Sequence, residues 1–156
     1  ETERYDKKSA FWRVVKSIAQ LLSKDEKGWF KHIVWSNLYK LSPTGGGNPS
    51  YKLREVQFET CLEILKVELE VFKPKFVVLL NGPDWYADFV CKLAGSDEFG
   101  RVNLDIVDSK FWNDSNYMAY VYKIGETYFI GSVHPQGKPE KEHIGVILEM
   151  IKKFSV

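Results

Sequence analysis

The chain has 156 residues, 44% apolar and 15% aromatic, which suits one globular domain and excludes a largely disordered chain. Its 22 lysines and arginines face 21 aspartates and glutamates, so an extended basic groove for nucleic acid is not expected, although a small local one is compatible with that balance. Two cysteines without metal-ligand spacing, no membrane-length apolar stretch and no visible leader point to buried free thiols in a reducing cytoplasm.

In chain order, Glu1 to Lys8 is charged and reads as a cut edge. Ser9 is placed to cap a helix, and Phe11, Val14, Val15, Ile18, Leu21 and Leu22 recur at helical spacing. Ser23 to Gly28 ends it. His32-Ile33-Val34-Trp35 predicts a short buried strand. Leu41 to Ser50, with two prolines and three consecutive glycines, predicts a loop. Tyr51 to Phe72 is helical, with Phe58, Leu62, Leu65, Leu69 and Phe72 on one face, and Pro74 stops it.

The apolar run Phe76 to Leu80 predicts a strand covered on both faces, as in a parallel sheet. Asn81-Gly82-Pro83 is a turn, Asp84 to Leu93 a helix and Gly95 to Gly100 a linker. Val102 to Val107 alternates like a strand. Tyr117 to Ile124 and Thr127 to Ser132 flank Gly125-Glu126 as a hairpin with a two-residue turn. Pro139 to Phe154 closes the chain as a helix with Ile144, Ile147, Leu148 and Ile151 inward. Strands alternating with helices predict a three-layer α/β sandwich, with the hairpin before the last helix making the sheet mixed.

Two residues stand where open α/β sheets gather ligands, just past the carboxyl ends of strands. Asn37 can donate and accept at once, which suits the edge of a pyrimidine, and it equally suits a turn tying down its own loop. His134 can donate a hydrogen bond to a group gaining negative charge, or can be a structural histidine in a turn shaped by Pro135. Gly45 to Ser50 offers backbone N–H groups to a phosphate, or is a flexible linker.

The order of these fixed points resembles the uracil-DNA glycosylase superfamily, above all its iron–sulfur branch. The resemblance rests on Trp35-Ser36-Asn37-Leu38-Tyr39-Lys40, Pro43, Gly47-Asn48-Pro49 and Cys61 in the following helix. It continues in Lys73-Pro74-Lys75 with the strand leading to Gly82, and ends in Ser132-Val133-His134-Pro135. It implies one domain over residues 1–156, a mostly parallel central sheet in an α/β/α sandwich, and DNA as partner. In that reading Asn37 binds a flipped, uracil-type base and His134 is the catalytic residue that stabilises the departing base. Lys40 and Ser50 contact the DNA backbone. Gln136, Gly137 and Lys138 stand at the family's wedge position without an apolar side chain, so that Gln136 or Lys138 acts through phosphate or base-edge contacts, or the three are a polar loop leading to the helix.

The resemblance also marks where this chain departs from the family. Cys61 falls on a cluster-ligand position, but the partner position is Leu41, and two cysteines are too few for a cluster. No cofactor or metal is expected, and apolar packing is expected to replace the cluster around Leu41 and Cys61. The family's first motif, which positions the attacking water, ends a strand before a helix like that after Ser9, and the residues of Glu1 to Lys8 show no strand pattern ending in such a motif. A base-excision domain lacking its N-terminal strand, and catalytically poor as it stands, is therefore expected. The alternatives are a non-catalytic nucleic-acid or nucleobase-binding module, and a small-molecule α/β domain of flavodoxin-like layout.

Overall fold

A computed structural model describes residues 8–95 and 104–155. The chain divides into two compact units, Glu1–Val34 with Lys75–Val156, and Trp35–Pro74.

The first unit begins with helix α1, Ala10–Ser23. Ser9 caps it by accepting the Trp12 N–H on its hydroxyl, and Lys24 ends it in the left-handed region. Its inward side is Ala10, Val14, Ile18 and Ala19. Leu21 and Leu22, expected inward, are exposed, because they lie on the last turn beyond the core. Trp29–His32 forms a single tight turn that packs its buried Trp29 near α1. The strand expected over His32 to Trp35 is absent. Ile33 is extended, but Val34 and Trp35 are exposed and the sheet does not include them. An apolar run makes a strand only when another strand supplies its hydrogen bonds.

Four strands form one sheet in the order β1-β4-β3-β2: β1 Phe76–Leu80, β2 Ile106–Trp112, β3 Tyr117–Ile124 and β4 Thr127–Ser132. The hairpin forms as expected, Ile124 opposite Thr127 across Gly125-Glu126, with Gly125 at φ 57°. That hairpin reverses the chain between β3 and β4. Among the described residues only the β1–β4 pairing is parallel; β3–β4 and β2–β3 are antiparallel. The fold is mixed α/β, and the expectation of a mostly parallel sheet is corrected on this point. The strand expected at Val102 to Val107 begins at Ile106 and runs on to Trp112, its register set by pairing with Tyr117 to Tyr122. Residues 102 and 103, and the linker beyond Gly95, lie outside the described residues.

Side chains alternate across the sheet, so neighbouring residues face different helices. Ile130 joins a core with Val14 and Ile18 of α1 and with Val146, Ile147 and Met150 of helix α4, Glu140–Lys153. The next residue, Gly131, faces the other way. A side-chain carbon there would run into the Tyr86 ring of helix α3, Pro83–Leu93. Helices thus flank this sheet on both faces. Each fully buried Ile or Met of the α4 side contributes roughly 1.5–3 kcal/mol of transfer free energy.

The second unit is a loop followed by the 22-residue helix α2, Tyr51–Phe72. Ser50 caps its start, and Lys73 in the left-handed region, followed by Pro74, ends it. Phe72, expected on the inward face, is exposed at the last turn. No described helix is long and apolar enough to cross a membrane.

Candidate functional site

Because β1 and β4 run parallel, their carboxyl ends emerge side by side. Leu80 lies opposite Ser132, and the Gly82 N–H donates to the Ser132 carbonyl at 3.0 Å. Each strand then leads through a short connection into a helix: Asn81-Gly82 into α3, and Val133 to Pro139 into α4. Two helix N-termini, with their partial positive charge, therefore start from one edge of the sheet. Gly82 sits at φ 85°, a conformation that lets the chain leave β1 and enter α3 at once.

His134 lies in the second connection. Its ring stacks on Phe11 of α1, with centroids 6.0 Å apart and planes 19° from parallel. Its Nδ1 accepts the Gln136 N–H at 3.1 Å. A ring nitrogen that accepts carries no proton, so the neutral imidazole bears its hydrogen on Nε2. Partial burial, with the Lys138 charge adding, pushes its pKa below the ordinary histidine value. At neutral pH His134 is thus an uncharged donor in a fixed tautomer. Lys138 closes the turn, its N–H on the Pro135 carbonyl and Gly137 at φ 70°. The Lys138 ammonium bonds to the Gln136 carbonyl at 3.3 Å and lies 5.1 Å from the centre of the Tyr117 ring.

Beneath this turn is a second imidazole that the periodicity of the last helix did not single out. His143 of α4 is fully buried and stacks on Trp112, centroids 4.4 Å apart. Its Nε2 shares a 3.0 Å hydrogen bond with the buried Ser132 hydroxyl. Burial, with smaller effects of His134 and Lys138, pushes its pKa down to about 4. Its Nδ1 has no hydrogen-bond partner among the described residues, and neither has the buried side-chain carbonyl of Asn81 on the neighbouring connection. The signal for His143 was present in its spacing, four residues before Ile147, but a histidine among inward positions reads as an interruption until its partner is known. The α4 carboxylate Glu140 is bound by Arg13 of α1 at 3.0 and 3.1 Å, which holds its carboxyl below the usual range.

The remaining candidates divide between the units. Gln136, Gly137 and Lys138 share the His134 turn. Asn37, Lys40 and Ser50 belong to the second unit. Asn37 is exposed in irregular chain, with no strand before it among the described residues. The Lys40 ammonium is 2.6 Å from the Ser36 hydroxyl and 2.9 Å from the Glu68 carboxylate, so its charge is compensated. The Ser50 hydroxyl accepts the Leu53 N–H at 3.3 Å as the α2 cap.

Around Leu41 and Cys61, where apolar packing is expected, the buried Gln57 amide links the two. It accepts the Leu41 N–H at 2.9 Å, donates to the Leu41 carbonyl at 3.1 Å and accepts from the Cys61 thiol at 3.4 Å. One side chain satisfies both backbone groups of Leu41, whose own side chain is exposed. Both cysteines are free thiols, and no group of three or more metal-ligating side chains occurs among the described residues.

Comparison of the chain with family models, curated proteins and solved structures yields no match.

Proposed function

We propose that the carboxyl edge of β1 and β4 receives a nucleobase, and that the chain is a base-excision domain of uracil-DNA glycosylase type, a hydrolase of N-glycosyl bonds. The observation that carries this reading is His134, a neutral imidazole whose Nε2–H is fixed as donor by the Gln136 N–H on Nδ1. In glycosidic hydrolysis the bond from the sugar carbon to the base nitrogen breaks, and its electron pair passes into the base. The base oxygen gains negative charge while water adds to the sugar carbon. A preoriented neutral donor at that oxygen stabilises the charge without itself having to lose a proton. Lys138 supplies a cation near the same turn for a phosphate.

One observation favours a second reading, a nucleobase-binding module without chemistry. Glu140, the carboxylate at the start of α4, is committed to Arg13 and is not free to activate water. A single-turnover assay separates the two. Release of uracil from a uracil-containing single-stranded oligonucleotide, lowered about 100-fold or more in His134→Ala, supports the enzyme. Binding without release, weakened in His134→Ala, supports the module. Neither binding nor release removes both. For binding through Lys138, Lys138→Ala should flatten the dependence of log affinity on log salt by about one unit.

A further inference from the structure

Helix α2 is apolar on two sides. One side buries Gln57, Cys61 and Leu62. The other carries Val56, Ile64, Val67 and Val71, with Thr60 between them, at spacings of four, four, three and four. That spacing puts all five on one stripe along about four helical turns, roughly 22 Å. Yet Val56 is 77% exposed, Ile64 37%, Val67 58% and Val71 67%. Scattered exposed valines are ordinary, but a continuous stripe on one helix is the mark of a surface that meets a partner.

We infer that this stripe is a docking face for a basic amphipathic helix of another protein. The charges along its border decide the partner's chemistry. Helical geometry places Glu55, Glu59, Glu63 and Glu70 along one border, with only Lys52 and Lys66 among them. Lys66 is already engaged by Glu63 at 2.7 Å, whereas Glu59 and Glu70 have no ion pair among the described residues. A second copy of this chain docking antiparallel on the same face would set Glu59 against Glu70 and add to the uncompensated charge. An anionic lipid surface would be repelled by the same border. A helix with an apolar stripe edged by lysines or arginines compensates both, burying its stripe on the valines and its cations on the glutamates.

The test uses the intact chain and two labelled 18-residue peptides with the same leucine stripe, one bordered by lysine and one by glutamate, read by fluorescence anisotropy. The lysine peptide is expected to bind at least about tenfold more tightly than the glutamate peptide, and to weaken as salt rises. Val67→Asp should weaken it about tenfold or more. That substitution adds a negative charge, so a loss reports the apolar stripe and not general attraction of a cationic peptide. Val67 is exposed, and an unchanged circular dichroism spectrum would confirm that the variant is folded. Glu59→Lys with Glu70→Lys should reverse the preference between peptides. The inference is overturned if neither peptide binds, if both bind equally, or if Val67→Asp leaves binding unchanged. It is equally overturned if sedimentation shows a dimer of the free chain that Val67→Asp dissolves, since the occupant would then be a second copy.

Discussion

Helices α4 and α2 carry comparable apolar repeats and meet different fates. On α4, Val146, Ile147, Met150 and Ile151 are all buried against the sheet and α1. On the longer α2, only Gln57, Cys61 and Leu62 are buried, while four aliphatic residues of a second stripe are exposed. Even the buried side of α2 differs in kind. It includes an amide, Gln57, hydrogen-bonded to the backbone of the preceding loop. Periodicity therefore states which residues of a helix are available for burial. Whether they are buried depends on what the rest of the chain brings to them.

The largest test of this contrast is a pair of truncations. Ile147→Ala should lower unfolding stability by about 3 kcal/mol, since it opens a cavity in a packed core. Val67→Ala, at a solvent-facing position, should change it by less than about 0.5 kcal/mol. Equal costs in urea denaturation would mean that α2 is packed as α4 is, and the comparison would fail.

A second test uses the buried imidazole of α4. The folded pKa of His143 is about 4, below the ~6.5 of an unfolded histidine, because its charged form is excluded from the core. Between those values the unfolded chain binds more protons than the folded one. The contribution of neutral His143 is therefore complete above about pH 6.5 and is lost as pH falls towards 4, on the order of 3 kcal/mol in all. Urea midpoints measured at pH 7 and pH 4.5 should differ strongly in the natural chain and less in His143→Asn. An equal pH dependence in both would show that His143 is not the group responsible.

A smaller effect is expected on α2. Gln57→Ala removes the partner of the Leu41 N–H and carbonyl and should cost about 1–2 kcal/mol. The loss should appear as faster amide hydrogen exchange in the Leu41 loop and the first half of α2, with α4 unchanged. Exchange that quickens equally in α4 would show a loss of global stability instead of a local one.

Much of the architecture was legible in the residues. Gly125-Glu126 between two alternating runs marked the hairpin, Pro74 and Pro83 marked the limits of helices, and the uninterrupted Phe76 to Leu80 marked a strand covered from both sides. The His134 turn was legible as a candidate because His-Pro follows a strand. Its tautomer was not, since that depends on the Gln136 N–H folding back onto Nδ1. Ser50 was read as a phosphate contact in a loop that could equally be a linker; that its hydroxyl accepts the Leu53 N–H and caps α2 shows only in the structure. Lys40 looked available for a phosphate because its partner, Glu68, is 28 residues away in sequence.

What the sequence by itself determined was local: where helices start and stop, where the chain turns, and which positions are apolar enough to be covered. These follow from φ restrictions, side-chain caps and the 3.6- and 2-residue periods, all of which act over a few residues. Tertiary structure decided the rest. It chose which apolar runs found a partner, making a strand of Ile106–Trp112 and none of His32 to Trp35. It set one parallel pairing in the sheet instead of several, and put a buried His143 beneath the His134 turn. Each of these depends on hydrogen bonds or packing between residues distant in sequence, whose formation no local pattern can fix.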